Sequence, residues 1–245
     1  MGTTVKYVAE LDHVREVSLI GSADLEFWTE RLRAEGLIPV EHDGRARVLV
    51  LACDSKFFGV RFRELSFSVL VRRPDMSEGS DTAYLVQAFN SSRFFAWSER
   101  TWFSTPYQHG TIDVDVGLPA SVRLVLAGQT VFSAVMPADS TTQTREPSRS
   151  GFEGWDGPIF LPSSKQGQGQ SDRLFFAKIQ GETQAYPFAP TDRLTLRPSI
   201  GSPILQMLID SHFVVEEWLI RRDATHAKSK TYRKMEVQVC PSHKP

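Results

Sequence analysis

The chain has 245 residues, 41% of them hydrophobic and 23% charged, which is enough to bury a sizeable core as one large domain. Its 28 Lys and Arg against 29 Asp and Glu leave a net charge of -1, so no global field draws it to nucleic acid or to an anionic membrane. Two cysteines, Cys53 and Cys240, exclude a disulfide scaffold and a four-thiolate zinc site.

No run has the length of a signal peptide or approaches eighteen uninterrupted apolar residues, so a cytoplasmic location without membrane contact is expected. In chain order, the first predicted element is a helix over 23–36, with Ser22 as cap, Asp24 and Glu26 in the first turn and Gly36 as stop. Its Leu25, Trp28 and Leu32 fall at helical spacing. Strands follow over 45–53 and 60–71. In the second, Phe62, Glu64, Ser66 and Ser68 alternate with Leu65, Phe67 and Val69. A strand face that collects polar groups either meets water or lines a polar interior.

Further strands are predicted over 82–90, 93–101, 111–116, 121–126, 130–136, 173–180 and 193–197. Two long segments, 137–158 and 162–171, are rich in Ser, Thr, Gly, Pro or Gln and read as loops. The first has anchors for a lid in Phe152, Trp155 and Ile159. A second helix opens at Ser202-Pro203, and 212–220 reads equally as its extension or as a strand. One domain over 1–225 is expected, followed by a basic tail over 226–245 that carries Lys228, Lys230, Arg233 and Lys234. The fold class is mainly β with some α: an antiparallel barrel or sandwich with a central pocket and two or three covering helices.

Motifs for dinucleotide, P-loop and α/β-hydrolase chemistry are absent, and the six His are too scattered for a helical metal pair, so no cofactor and no metal is expected. His109 lies near Ser104 and Thr105, either as a base or as a plain loop histidine. Glu99 stands among Phe94, Phe95, Trp97, Trp102, Phe103 and Tyr107. Such a carboxylate is either desolvated and fit for proton transfer or an exposed partner of Arg93 or Arg100.

The order of several short segments resembles the acetoacetate decarboxylase-like superfamily over residues 12–225. Ala23-Asp-Leu-Glu-Phe-Trp, the strand ending Ala52-Cys-Asp-Ser, and Phe58-Gly-Val-Arg-Phe-Arg-Glu look like that family's first helix and two pocket strands. Ser98-Glu-Arg is similar to its Gly-Arg-Glu segment, and Phe175-Phe-Ala-Lys-Ile to its Leu-Lys-Ile strand. Ala189-Pro-Thr-Asp-Arg-Leu-Thr-Leu and Asp210-Ser-His-Phe-Val-Val-Glu-Glu are similar to its closing strands.

The resemblance implies a cone-like β structure around a pocket and a homo-oligomer. It matches Glu64 to a pocket carboxylate and Arg15 to a pocket arginine, each with a one-residue slip, and Glu99 to the Glu ahead of the lysine pair. The family's catalytic lysine pair falls at Thr105 and Pro106, and a second pocket Glu falls near Val48. Only a primary amine condenses with a ketone to an imine, so that chemistry needs another lysine, for which Lys178 is the candidate.

The expected function is a lysine-independent lyase or isomerase acting on an oxo acid or polyketide-like small molecule. Glu64 and Glu99 are its catalytic acid and base, and Arg15, Trp102, Thr105 and His109 its substrate-binding residues. The alternatives are a non-catalytic small-molecule binder on the same fold and an interaction protein with a filled interior.

Overall fold

The computed structural model describes residues 5–73, 82–137, 154–163 and 173–233. In chain order its elements are β1 (Tyr7–Asp24), α1 (Leu25–Arg33), β2 (Ile38–Pro39), β3 (Glu41–His42), β4 (Arg45–Phe57), β5 (Val60–Arg72) and β6 (Ala83–Asn90). There follow α2 (Arg93–Trp102), β7 (Tyr107–His109), β8 (Thr111–Asp115), β9 (Ser121–Leu126), β10 (Gln129–Val135), β11 (Trp155–Phe160) and β12 (Arg173–Gln180). The last are β13 (Gln184–Pro187), β14 (Arg193–Leu196), α3 (Pro203–Asp210), β15 (Val214–Ser229) and β16 (Tyr232–Arg233).

Seven strands close a barrel in the order β15-β1-β4-β5-β6-β11-β12, with β12 pairing back to β15. Neighbours are antiparallel except β6 and β11, which run parallel, so the barrel is mixed rather than wholly antiparallel as expected. A separate four-stranded sheet has the order β14-β10-β9-β8. The largest packed core lies between this sheet and one side of the barrel wall. Val17 and Leu19 of β1, Val50 of β4 and Phe67 of β5 meet Leu124 of β9 and Phe132 of β10 there. Phe67 and Phe132 touch edge to face at 5.3 Å, and Trp28 of α1 and Leu208 of α3 complete the cluster.

The other faces of the same strands look into the barrel. An apolar plug of Ile20, Leu49, Ala185 and Leu219 fills part of that interior. Which residues face inward is set by two register shifts between β1 and β15, one between Leu11 and Val14 and one between Val14 and Glu16. His13, at φ 54, lies in the first. Each shift inserts residues without partners and reverses the alternation beyond it. Gly21 sits where β1 passes the start of β15; a Cβ there would lie 2.2 Å from the Val214 carbonyl oxygen, so only glycine fits.

Most predicted elements are present, and the differences have local causes. Segment 93–101, expected as a strand, is α2: Ser92 Oγ accepts from the Phe95 N–H at 3.3 Å, and Phe95, Ser98, Glu99 and Trp102 share one face at helical rather than strand spacing. In α1 the cap is Asp24, whose Oδ1 accepts from Phe27 N at 2.7 Å, rather than Ser22. Segment 212–220 resolves to β15, and β1 has no counterpart among the predicted strands. Trp155 and Ile159, expected as lid anchors in a loop, belong to β11, while Phe152 and most of both loops lie outside the described residues. Residues 226–229 continue β15 and Tyr232–Arg233 form β16, so the stretch expected as a basic tail carries strand up to Arg233.

Candidate active site

The inward face of β5 anchors the site. Phe62, Glu64, Ser66 and Ser68, the polar alternation seen in the sequence, line a cavity of about 320 Å³. Phe175, Ala177 and Ile179 of β12 and His226 and Lys228 of β15 form other parts of its wall, and α2 lies across it with Glu99 and Trp102. Pairing places Arg221, Glu16, Cys53, Glu64 and Asn90 in one row across β15, β1, β4, β5 and β6. The barrel interior therefore carries a polar belt.

One polar group gathers around Lys228. Its ammonium donates to Glu99 Oε2 at 2.5 Å, and both side chains are 18% exposed. The same nitrogen stands over the rings of Phe175, Phe103 and Tyr107 at 4.7, 5.1 and 5.4 Å, which adds cation–π attraction. The Tyr107 hydroxyl donates to Glu64 Oε1. Burial raises the Glu64 carboxyl above its ordinary range; the Tyr107 bond opposes this and the negative charge of Glu99 adds to it. Burial, then the Glu64 carboxylate, holds Tyr107 well above a normal phenol, so it stays a donor. The set pairs an acid whose ionisation is displaced towards neutrality with an amine and a second carboxylate, the composition that proton transfer next to a carbonyl requires.

A second group centres on Glu16, which is fully buried. Its Oε1 accepts from Ser18 Oγ at 2.7 Å and from Arg221 Nη1, and its Oε2 lies 2.7 Å from His226 Nε2. Arg221, also fully buried, donates from Nε to Thr183 Oγ1 at 2.8 Å. Burial alone would raise the Glu16 pKa, but the His226 bond and the Arg221 charge outweigh it and bring it to about 2. Among the described residues no three His, Cys, Asp or Glu come together as a metal-ligand set.

The sequence-predicted residues separate into three groups. Glu64 and Glu99 share the cavity, and Trp102 lies at its mouth, 61% exposed. Thr105 is buried but outside the lining: its hydroxyl sits 2.8 Å from both the Glu99 carbonyl oxygen and Glu99 Oε2, so it supports Glu99 from behind. Arg15 and His109 are exposed and outside the cavity, which corrects their expected place. Arg15 points outward because the inward position on β1 is its neighbour Glu16. Val48, where the resemblance puts a second pocket carboxylate, faces the outer core, opposite Leu51 and Cys53.

Lys178 borders the cavity half-buried, on the face of β12 opposite Phe175, Ala177 and Ile179. Lysine therefore does reach the site, chiefly from β15. Lys228, Tyr107, His226 and Glu16 were missed as site residues. The available signal was the alternation Ala224, His226, Lys228, hidden by the charge of its surroundings.

The barrel with this interior defines an acetoacetate decarboxylase-like fold. The acetoacetate decarboxylase of Legionella pneumophila superposes with a TM-score of 0.64 at 16% identity, over 95% of this chain and 91% of that one. The enduracididine biosynthesis enzyme MppR, in complex with pyruvate, gives 0.62 at 12%, over 95% and 92%. An acetoacetate decarboxylase-like enzyme from Sphingomonas wittichii RW1 gives 0.58 at 13%, over 91% and 92%. No protein-family model and no curated protein matches the sequence.

Proposed function

We propose that the protein is an enzyme that binds a carbonyl-bearing small molecule, an oxo acid or a polyketide-like compound, in the barrel cavity. It transforms this substrate by imine chemistry at Lys228, with Glu64 as the proton-transfer group. One observation carries the reading: a primary amine stands inside the cavity against a carboxylate, although the resemblance would place that family's lysine pair at Thr105 and Pro106. Glu99 takes a proton from the ammonium. The freed amine attacks the carbonyl carbon, and loss of water leaves an iminium that draws the electron pair of a neighbouring bond towards nitrogen. Glu64, displaced towards neutrality by burial, returns a proton to the resulting carbon or to a leaving hydroxyl. The pyruvate held by the MppR neighbour supports the substrate class.

Lysine-independent chemistry by Glu64 and Glu99 is the second reading. It is favoured by the Glu99 ion pair and the three ring faces around Nζ, all of which stabilise the ammonium over the free amine. Borohydride reduction in the presence of pyruvate or acetoacetate, followed by intact mass and peptide mapping, separates the two. An adduct on Lys228 is expected. Absence of any adduct, with turnover that Glu64→Gln abolishes, establishes the lysine-independent route; ligand binding without turnover leaves a binding protein.

A further inference from the structure

His226 is not used by the chemistry above, yet it has the attributes of a working group. Its ring lies on the cavity wall and its Nε2 is held at 2.7 Å by Glu16 Oε2. Glu16 is itself fixed by Ser18 and Arg221 at the buried end of the arrangement, so the carboxylate is rigid and sealed from water. A carboxylate only accepts, which obliges Nε2 to carry the hydrogen. Nδ1 has no hydrogen-bond partner among the described residues, so it is the nitrogen left to bind or release a proton.

Position adds a second argument. β15 and β5 are separated by β1 and β4 in one direction and by β12, β11 and β6 in the other, so His226 and Glu64 stand on opposite walls of the barrel. A substrate between them is flanked by two proton-transfer groups.

We propose that His226 is a second catalytic residue, which removes a proton from the carbon next to the carbonyl, and that Glu16 is its positioning residue. The proposal rests on the imine reading for its electron sink. The Nδ1 lone pair takes the proton, the C–H electron pair becomes a carbon–carbon double bond, and the iminium π pair moves onto the Lys228 nitrogen to give an enamine. Return of a proton to the same carbon reverses the step. Delivery by Glu64 at a different atom completes an isomerisation or, with loss of hydroxide as water, a dehydration.

The experiment follows deuterium entering the methyl group of pyruvate, and the α-carbons of butan-2-one, from D2O by NMR, beside borohydride trapping of the same compounds. Wild type is expected to exchange and to be trapped. In His226→Gln the ratio of exchange to trapping should fall about 100-fold, the scale of a lost general base. In Glu16→Gln the amide can offer an N–H to the ring and shift the hydrogen to Nδ1, so the same ratio should fall in protein shown to be folded by its near-ultraviolet circular dichroism. Glu16→Asp, which keeps a carboxylate, should restore part of it. An unchanged ratio in His226→Gln overturns the proposal, as does a wild type that is trapped without exchanging. A wild type that exchanges but is never trapped sinks the imine reading and its enamine step together, and one that does neither removes both.

Discussion

Around Lys228 the charged groups are partly exposed and look onto the cavity, whereas around Glu16 the carboxylate and the guanidinium are sealed and only His226 reaches the cavity. The first cluster holds two carboxylates, a phenol and an amine that can exchange protons with a ligand. The second spends three hydrogen bonds on keeping one carboxylate ionised and still. On the proposed reading the amine and carboxylate chemistry belongs to the first cluster, while in the second only His226 meets the ligand and Glu16 and Arg221 orient it. Substitutions should therefore separate them: loss of turnover with an intact fold around Lys228, loss of stability at Glu16 and Arg221.

The largest effect is expected from Lys228→Met. It removes the amine while keeping length, so borohydride trapping should vanish and turnover should fall by about 10³ or more in protein that near-ultraviolet circular dichroism shows to be folded. A variant that turns over at the wild-type rate would break the assignment of the first cluster. Next comes Glu16→Ala, which strands the Arg221 charge in a fully buried place. Breaking a buried pair from one side costs about 3–5 kcal/mol, readable as a lower urea midpoint at constant slope. A cost below about 1 kcal/mol would show that water or another group reaches Arg221.

Glu64→Gln should lower turnover about 10²-fold with ligand affinity retained, since the amide keeps the shape and the Tyr107 bond but cannot transfer a proton. The pH dependence of stability sharpens the same contrast. The Glu16 pKa of about 2 lies below its ordinary 4.5, so the pairing contributes fully above about pH 4.5 and is lost as the pH falls towards 2. The full contribution is about 3 kcal/mol. Glu64 has the opposite sign: its folded pKa is raised, so its contribution is complete below pH 4.5 and is lost as the pH rises through the raised value. Denaturant titrations of Glu16→Gln should therefore flatten the acid limb, and those of Glu64→Gln the limb above it.

How much of this was legible in the sequence depended on where alternation stays in phase. β5 keeps one phase from Phe62 to Ser68, so its polar face, and with it Glu64, could be read directly. β1 and β15 do not. The register shifts before and after Val14 exchange inward and outward faces, so Arg15, taken from the resemblance, falls on the outward side of its neighbour Glu16, and Ala224, His226 and Lys228 look like part of a charged tail. Glu99 was legible from its aromatic setting, but the same aromatics made α2 read as a strand, because bulky residues have high β preference and the helical spacing of Phe95, Ser98, Glu99 and Trp102 is masked by the neighbouring Phe94, Trp97 and Phe103. The overall architecture survived these errors because it rests on the order of many segments rather than on any one of them.

The smallest predicted effect falls on Thr105, where the sequence resemblance would place a lysine of the acetoacetate decarboxylase-like pair. Thr105 is buried and offers one hydroxyl proton to two Glu99 acceptors, so the turn after α2 supports the carboxylate that in turn holds Lys228. Thr105→Val keeps volume and β-branching while leaving those oxygens without that donor. The Lys228 bond and the N–H of residue 105, which also donates to the Glu99 carbonyl, remain. The loss is then one hydrogen bond to a charged group, about 1.5–3 kcal/mol at most and less where the amine compensates, so turnover should drop about tenfold with affinity for pyruvate unchanged. A drop in affinity without a drop in turnover would mean that Thr105 touches the ligand after all. The turn after α2 would then hold a binding group of its own, beside the amine that reaches the cavity from β15.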